Sequence, residues 1–219
     1  MATQTTTIET VSVVRPLKVI SFICLLIAIC LLLTCIATNS WLKSGGYKFG
    51  LFRECTAADR SSYVPGAPPP GKCQKLHRQP GDFLQYDCSE LLTYIKAVTA
   101  LLIIATILLL VALTMNGLGL CARIIQRKYT FYKIATYFAL FSVLLDLISL
   151  IVFPACFYGE MKEHYGAGEW EFDWSYGIAW GATLFTFGAA LLLICDKEHE
   201  EVCHKVKTVY NPPPELGAD

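Results

Sequence analysis

Apolar positions in this chain gather into four long runs instead of recurring at amphipathic spacing: Val19 to Thr38, Ala97 to Leu120, Ile134 to Phe157 and Trp174 to Cys195. A hydrocarbon core about 30 Å thick is crossed by about 20 residues of helix. Backbone polar groups inside a bilayer must bond within their own segment, so each run predicts a membrane-spanning helix. The first run is longer than a signal-peptide core and no small-x-small cleavage site follows it, so it predicts a retained helix. The chain then divides into an N-terminus over 1–18, spans over 19–38, 97–120, 134–157 and 174–195, a first loop over 39–96, a link over 121–133, a second loop over 158–173 and a tail over 196–219.

The polar residues between the runs set the expected sidedness. The link holds Arg123, Arg127, Lys128 and Lys133, whereas the second loop sets Glu160, Glu163, Glu169, Glu171 and Asp173 against Lys162 alone. Basic residues near helix ends favour the cytoplasm. The link and both termini are therefore expected inside, with Arg15 and Lys18 before the first span, and both loops outside. The first loop is slightly basic, but loops of its length carry little weight in that rule. Eighteen basic and eighteen acidic residues cancel, so no net field draws the chain to nucleic acid. Membrane lipids are the expected surroundings.

Compartment also sorts the ten cysteines. Cys24, Cys30, Cys35 and Cys156 lie in spans, where cysteine acts as a small apolar residue. Cys121, Cys195 and Cys203 lie at or beyond the cytoplasmic helix ends and are palmitoylation candidates, with ordinary thiols the competing reading. No C-x-x-C pair occurs, so no zinc site and no cofactor are expected. Cys55, Cys73 and Cys88 fall in the first loop, where a disulfide is the default outside the cell. Cys55–Cys88 and Cys55–Cys73 both remain open at this point, and one cysteine is left over. Closing such a loop contributes about 3–4 kcal/mol on the chain-entropy model.

Within that loop, "YKFGLF" alternates Tyr47, Phe49 and Leu51 with Lys48 and Gly50, as a half-buried strand does. The following stretch from Ala57 to Asp82 is dense in Pro and Gly, which excludes a helix or an interior strand. It predicts a protruding, irregular insertion.

Trp41, then "GLF" at Gly50, Leu51 and Phe52, then Cys55 and a second cysteine, all on a four-span chain, resemble the claudin superfamily, which joins claudins with peripheral myelin and epithelial membrane proteins. Phe52 stands where the family motif has its second tryptophan. "LISLIVFP" in the third run and "FDWSYGIAWGATLFTFGAALL" entering the fourth look most like a junctional branch that includes transmembrane protein forty-seven and the desmosomal tetraspan linked to apoptosis. The resemblance implies an all-α membrane protein: a left-handed four-helix bundle with a small disulfide-tied extracellular β-sheet, joined by a strand of the second loop. The branch carries its second loop cysteine just before helix two, which implies a Cys55–Cys88 bond. Trp41, Gly50, Leu51, Phe52, Cys55 and Cys88 are then the expected heart of the cap.

The function implied is organisation of cell–cell junctions and adhesion, with a contribution to an epithelial barrier. Its partners would be neighbouring junctional membrane proteins in cis or trans, a second copy of the chain included. Auxiliary subunits of channels or receptors, and apoptosis- or growth-linked proteins, occur on the same fold and form the alternatives. Trp41, Phe52, Trp170 and Trp174 are expected near the outer boundary, where amphipathic rings prefer the headgroup level, with simple anchoring the preferred reading for Trp170 and Trp174.

Two features of the spans stand apart. Gly177, Gly181 and Gly188 share a face of the fourth helix, where small residues let another helix approach. Packing inside the bundle is the preferred use, and lateral self-association the other. Asp146 falls near the middle of the third run, where a charge costs about 2.5–3.5 kcal/mol on insertion scales. With no other ionisable group at that depth to make a relay, it is read as protonated or hydrogen-bonded, pinning helix packing through Ser or Thr groups.

The tail is polar and ends in a Pro-rich run after Tyr210. It predicts a disordered segment, with Tyr210 a candidate adaptor or phosphorylation site. Its last residues are not hydrophobic, unlike the claudin tail that PDZ domains capture. No nucleophile elbow, phosphate loop or metal cluster occurs, and His77, His164, His199 and His204 are scattered, so catalysis is not expected.

Overall fold

The computed structural model describes residues 5–9, 16–59, 68–75, 89–122, 124–164, 170–195 and 205–209. Its four long helices are α1 (Pro16–Ala37), α2 (Ser89–Cys121), α3 (Ile125–His164) and α4 (Trp174–Cys195). Each contains a segment long and apolar enough to cross a membrane, the last three over Thr93–Cys121, Gln126–Cys156 and Trp174–Cys195. Helices α2 and α3 outrun the expected spans because hydropathy marks only the part that meets lipid, whereas helical bonding continues through polar flanks such as "SELLTYIK". The 40 residues of α3 reach about 60 Å, twice a hydrocarbon core.

All four helices bury side chains in steps of three and four. On α1 these are Lys18, Ser21, Leu25, Ala28, Leu32 and Cys35; on α4 they are Ser175, Ala179, Ala182, Thr186, Ala189 and Leu193. The same alternation runs through Leu102, Ala105, Leu109 and Ala112 on α2, and Ala139, Ser142, Asp146, Ser149 and Phe153 on α3. A mean step of about 3.5 residues keeps one seam facing its neighbours only if the helices coil left-handedly. The seams are rich in Ala, Ser and Thr because lipid offers no hydrophobic drive between helices, so close backbone approach supplies the packing. Large apolar side chains such as Leu33, Ile107, Ile151 and Leu184 point outward instead.

At one end of the bundle sits a sheet of β2 (Leu42–Ser44), β3 (Tyr47–Phe49), β4 (Arg53–Thr56), β5 (Cys73–Lys75) and β6 (Glu171–Phe172). Its order is β5-β4-β3-β2-β6, every pair antiparallel. Gly45 and Gly46 close the β2–β3 hairpin with φ of 51° and 96°, the positive values a two-residue turn needs to match strand twist. The Pro-rich insertion contributes β5, and only as an edge strand, the position such a segment tolerates. The second loop adds β6 beside β2, as expected.

A separate two-stranded ribbon pairs β1 (Thr5–Glu9) with β7 (Lys205–Val209), Thr5 opposite Val209 and Glu9 opposite Lys205. This corrects the expectation of a wholly disordered tail: "KVKTV" is β-branched enough to pair once the N-terminus offers an equally β-branched partner in "TTTIE". Tyr210 and the Pro-rich run lie outside the described residues.

Candidate functional site

The cap is joined to the bundle through Trp41, which is fully buried. Its indole Nε1 donates to the Cys35 carbonyl at 2.7 Å, one of the last-turn acceptors that α1 cannot satisfy internally. Its backbone N–H donates to the Phe49 carbonyl at 2.9 Å, and its carbonyl accepts from the Asp173 N–H at 3.0 Å. The ring meets Phe153 of α3 and Tyr176 of α4 edge-on, centroids 5.0 and 5.9 Å away. Trp41 therefore ties α1, the sheet, the second loop, α3 and α4 together. Trp41 thus sits at the heart of the cap, its indole N–H finding an acceptor inside the protein; headgroup anchoring is the expectation for Trp170 and Trp174. Trp174 is exposed at the start of α4 and suits that placement, whereas Trp170 packs edge-on against Tyr47 with centroids 6.0 Å apart.

Gly50 has a steric reason. A Cβ there would lie 2.5 Å from the Asn39 Cα and 2.8 Å from the Thr38 carbonyl oxygen, so the sheet can approach the end of α1 only without a side chain. Tyr47, Phe49 and Leu51 are each no more than 3% exposed, as their alternation predicts, while Lys48 faces solvent. Phe52 is exposed in the bend between β3 and β4.

The disulfide joins Cys55 to Cys73, with Cα atoms 4.1 Å apart at a sequence separation of 18. The implied Cys55–Cys88 pairing is thereby corrected. The two cysteines are directly opposed across the β4–β5 ladder, and such opposed residues come within disulfide reach. A partner just before α2 is what the family resemblance implied; the local strand pairing decided otherwise. Cys88 lies outside the described residues.

Glu54 is a residue that the sequence reading missed. It is buried on β4, its carboxylate accepting from the Tyr47 hydroxyl and the Gln74 amide, and so clamps β3, β4 and β5. Its ladder partner Phe49 faces inward and so does Glu54; the bend at Leu51 and Phe52 shifts the alternation by one residue, so the sequence pattern carried no signal for it. Across the other edge Lys43 meets Glu171 at 3.0 Å with both side chains largely exposed. The hydrogen bond and charge of Glu171 raise the Lys43 ammonium above its usual pKa. In solvent such a pair contributes little to stability.

Inside the bundle, the expected roles divide. The glycines of α4 do not meet another helix of the chain, since a Cβ at Gly177, Gly181 or Gly188 would find no atom within 4 Å. The preferred bundle-packing reading is corrected: the seam of α4 is its Ala and Thr face, and these glycines lie off it. Asp146 does lie in the α3 seam and is fully buried, yet neither carboxyl oxygen has a hydrogen-bond partner among the described residues. The hydroxyls expected to hold it bond backbone instead: Ser142 Oγ donates to Ala105 O, Ser149 Oγ to Leu145 O and Thr183 Oγ1 to Ala179 O, each at 2.9 Å. Among the polar links between helices, Ser21 Oγ donates to Ala189 O at 3.1 Å and Asn116 Nδ2 approaches Ser21 Oγ at 3.5 Å. Cys121 and Cys195 are exposed thiols at the ends of α2 and α4, and Cys203 lies outside the described residues. No cluster of metal-ligating residues occurs among the described residues.

The arrangement is a four-span bundle whose two loops on one side merge into a single disulfide-bonded sheet resting on a buried tryptophan. A zebrafish (Danio rerio) protein described as "p53 apoptosis effector related to PMP-22" is 33% identical over 129 residues, 58% of this chain and 66% of the relative. The match thus spans just under two thirds of that relative's length. The model of the PMP-22/EMP/MP20/Claudin family matches residues 15–193, which takes in all four helices and the cap and leaves out the terminal ribbon. This chain is a multi-pass membrane protein belonging to the PMP-22/EMP/MP20/Claudin family.

Proposed function

We propose that this protein organises cell–cell contacts at the plasma membrane, its cap facing outward and both termini lying in the cytoplasm. The observation that carries the reading is the merger of both loops into one folded cap, with β6 of the second loop paired to β2 of the first. Such a cap is a rigid surface, and Phe52 and Phe172 are exposed large aromatics on it, the residue type that anchors protein interfaces. The disulfide supports the outward placement, since such bonds persist in oxidising compartments. The basic link between α2 and α3 supports the same orientation. Neighbouring membrane proteins, including further copies of this chain, would meet the cap in cis or trans.

The deciding experiment is the position of a tagged copy in a polarised epithelial monolayer, beside markers of tight, septate and adherens junctions. Staining confined to cell contacts is expected. Diffuse surface staining, with co-purification of a channel, would instead favour an auxiliary subunit. A second reading, an apoptosis-linked membrane protein, is favoured by the description of the zebrafish relative. Cell death on overexpression without contact-restricted staining would select it.

A further inference from the structure

The solvent face of the cap collects like charges that the sheet register forces together. Lys43 stands directly opposite Lys48, and Arg53 directly opposite Lys75. Lys48 opposes Cys55, which opposes Cys73, so strand alternation puts Arg53 and Lys75 on the same face as Lys48. Lys48, Arg53 and Lys75 are all exposed, as is Lys72 just before β5. Among the described residues the face has one ion pair, Lys43–Glu171. Glu54 is turned to the opposite face, while Asp59 and Asp173 lie beyond the strand ends. Like charges directly opposed across strands destabilise a sheet, and here that cost is incurred twice.

We propose that this face binds a sulfated polysaccharide. Each opposed pair has Cβ atoms about 5 Å apart, and Lys48 and Arg53 are diagonal neighbours about 7–8 Å apart across β3 and β4, so the two pairs form one flat array that suits a polymer carrying closely repeated sulfates. The face lacks what a protein partner would need: Phe172 shares the side of its ladder partner Leu42, and Phe52 lies in a bend off the strands. Without an apolar anchor, affinity must come from charge, which fits a polyanion better than a folded protein. The cellular role depends on the outward placement proposed above, but binding by the purified protein does not.

The test uses the full chain in nanodiscs of zwitterionic lipid, with immobilised heparin as the probe. Wild type binds, and binding weakens as salt rises. The variant Lys48→Gln/Arg53→Gln/Lys75→Gln binds roughly tenfold more weakly or worse, while melting no lower than wild type because both like-charge pairs are gone. Lys48→Gln alone gives a smaller loss in the same direction. A control at the other end of the bundle, Arg127→Gln/Lys128→Gln/Lys133→Gln, keeps full affinity. The proposal is overturned if wild type ignores heparin, if the loss follows the control, or if both cap variants bind as wild type. Equal binding of polyglutamate or desulfated heparin would also overturn it, assigning the face to an acidic polypeptide in the first case.

Discussion

The Tyr176 hydroxyl on α4 donates to the Leu150 carbonyl on α3, 2.9 Å away. Pro154 lies four residues after Leu150 inside the same helix and has no N–H to offer that carbonyl. In a bilayer no water replaces the missing donor, so a side chain from a neighbouring helix supplies it.

Tyr176→Phe should therefore lower the melting temperature of the purified protein, by about 1–2 kcal/mol of stability. Pro154→Ala restores an N–H for Leu150, so the loss should largely vanish in the Pro154→Ala background. A double-mutant cycle by thermal unfolding measures this coupling; equal losses in both backgrounds would refute the link.

Gly50→Ala should fail to form the cap, because its Cβ meets backbone atoms of residues 38 and 39 rather than a side chain that can swing away. Retention in the endoplasmic reticulum, read by glycosidase-independent surface biotinylation, is the expected outcome. Gly177→Ala, Gly181→Ala and Gly188→Ala should reach the surface normally, since each added methyl enters open space.

Cys55→Ser and Cys73→Ser should be equivalent, each costing about 3 kcal/mol from the loss of an 18-residue closure. Non-reducing peptide mapping of wild type should recover the Cys55–Cys73 pair, and Cys88→Ser should leave it intact. A Cys55–Cys88 peptide as the main product would reverse the assignment.

Asp146→Asn should fold and reach the surface like wild type, because no hydrogen bond to the carboxyl is lost. Asp146→Leu should melt higher in detergent, since it replaces an unpartnered buried polar group with apolar volume. A lower melting temperature for Asp146→Leu would show a partner for the carboxyl within the bundle.

By itself the sequence determined that the chain crosses a membrane four times, because apolar runs of that length have one stable backbone solution in lipid. It also determined the alternating face of Tyr47, Phe49 and Leu51, a property of local strand geometry, whereas the need for glycine at position 50 arose only where the sheet meets the end of α1. What only the tertiary structure decided was pairing. Cys73 became the partner of Cys55 because β5 docked on β4, and Glu54 turned inward to accept from β3 and β5. In the spans, apolar residues lie on every side, so hydropathy cannot show which face packs. The seam emerged from close approach of small residues, which buried Asp146 without a partner and left Gly177, Gly181 and Gly188 off the contact.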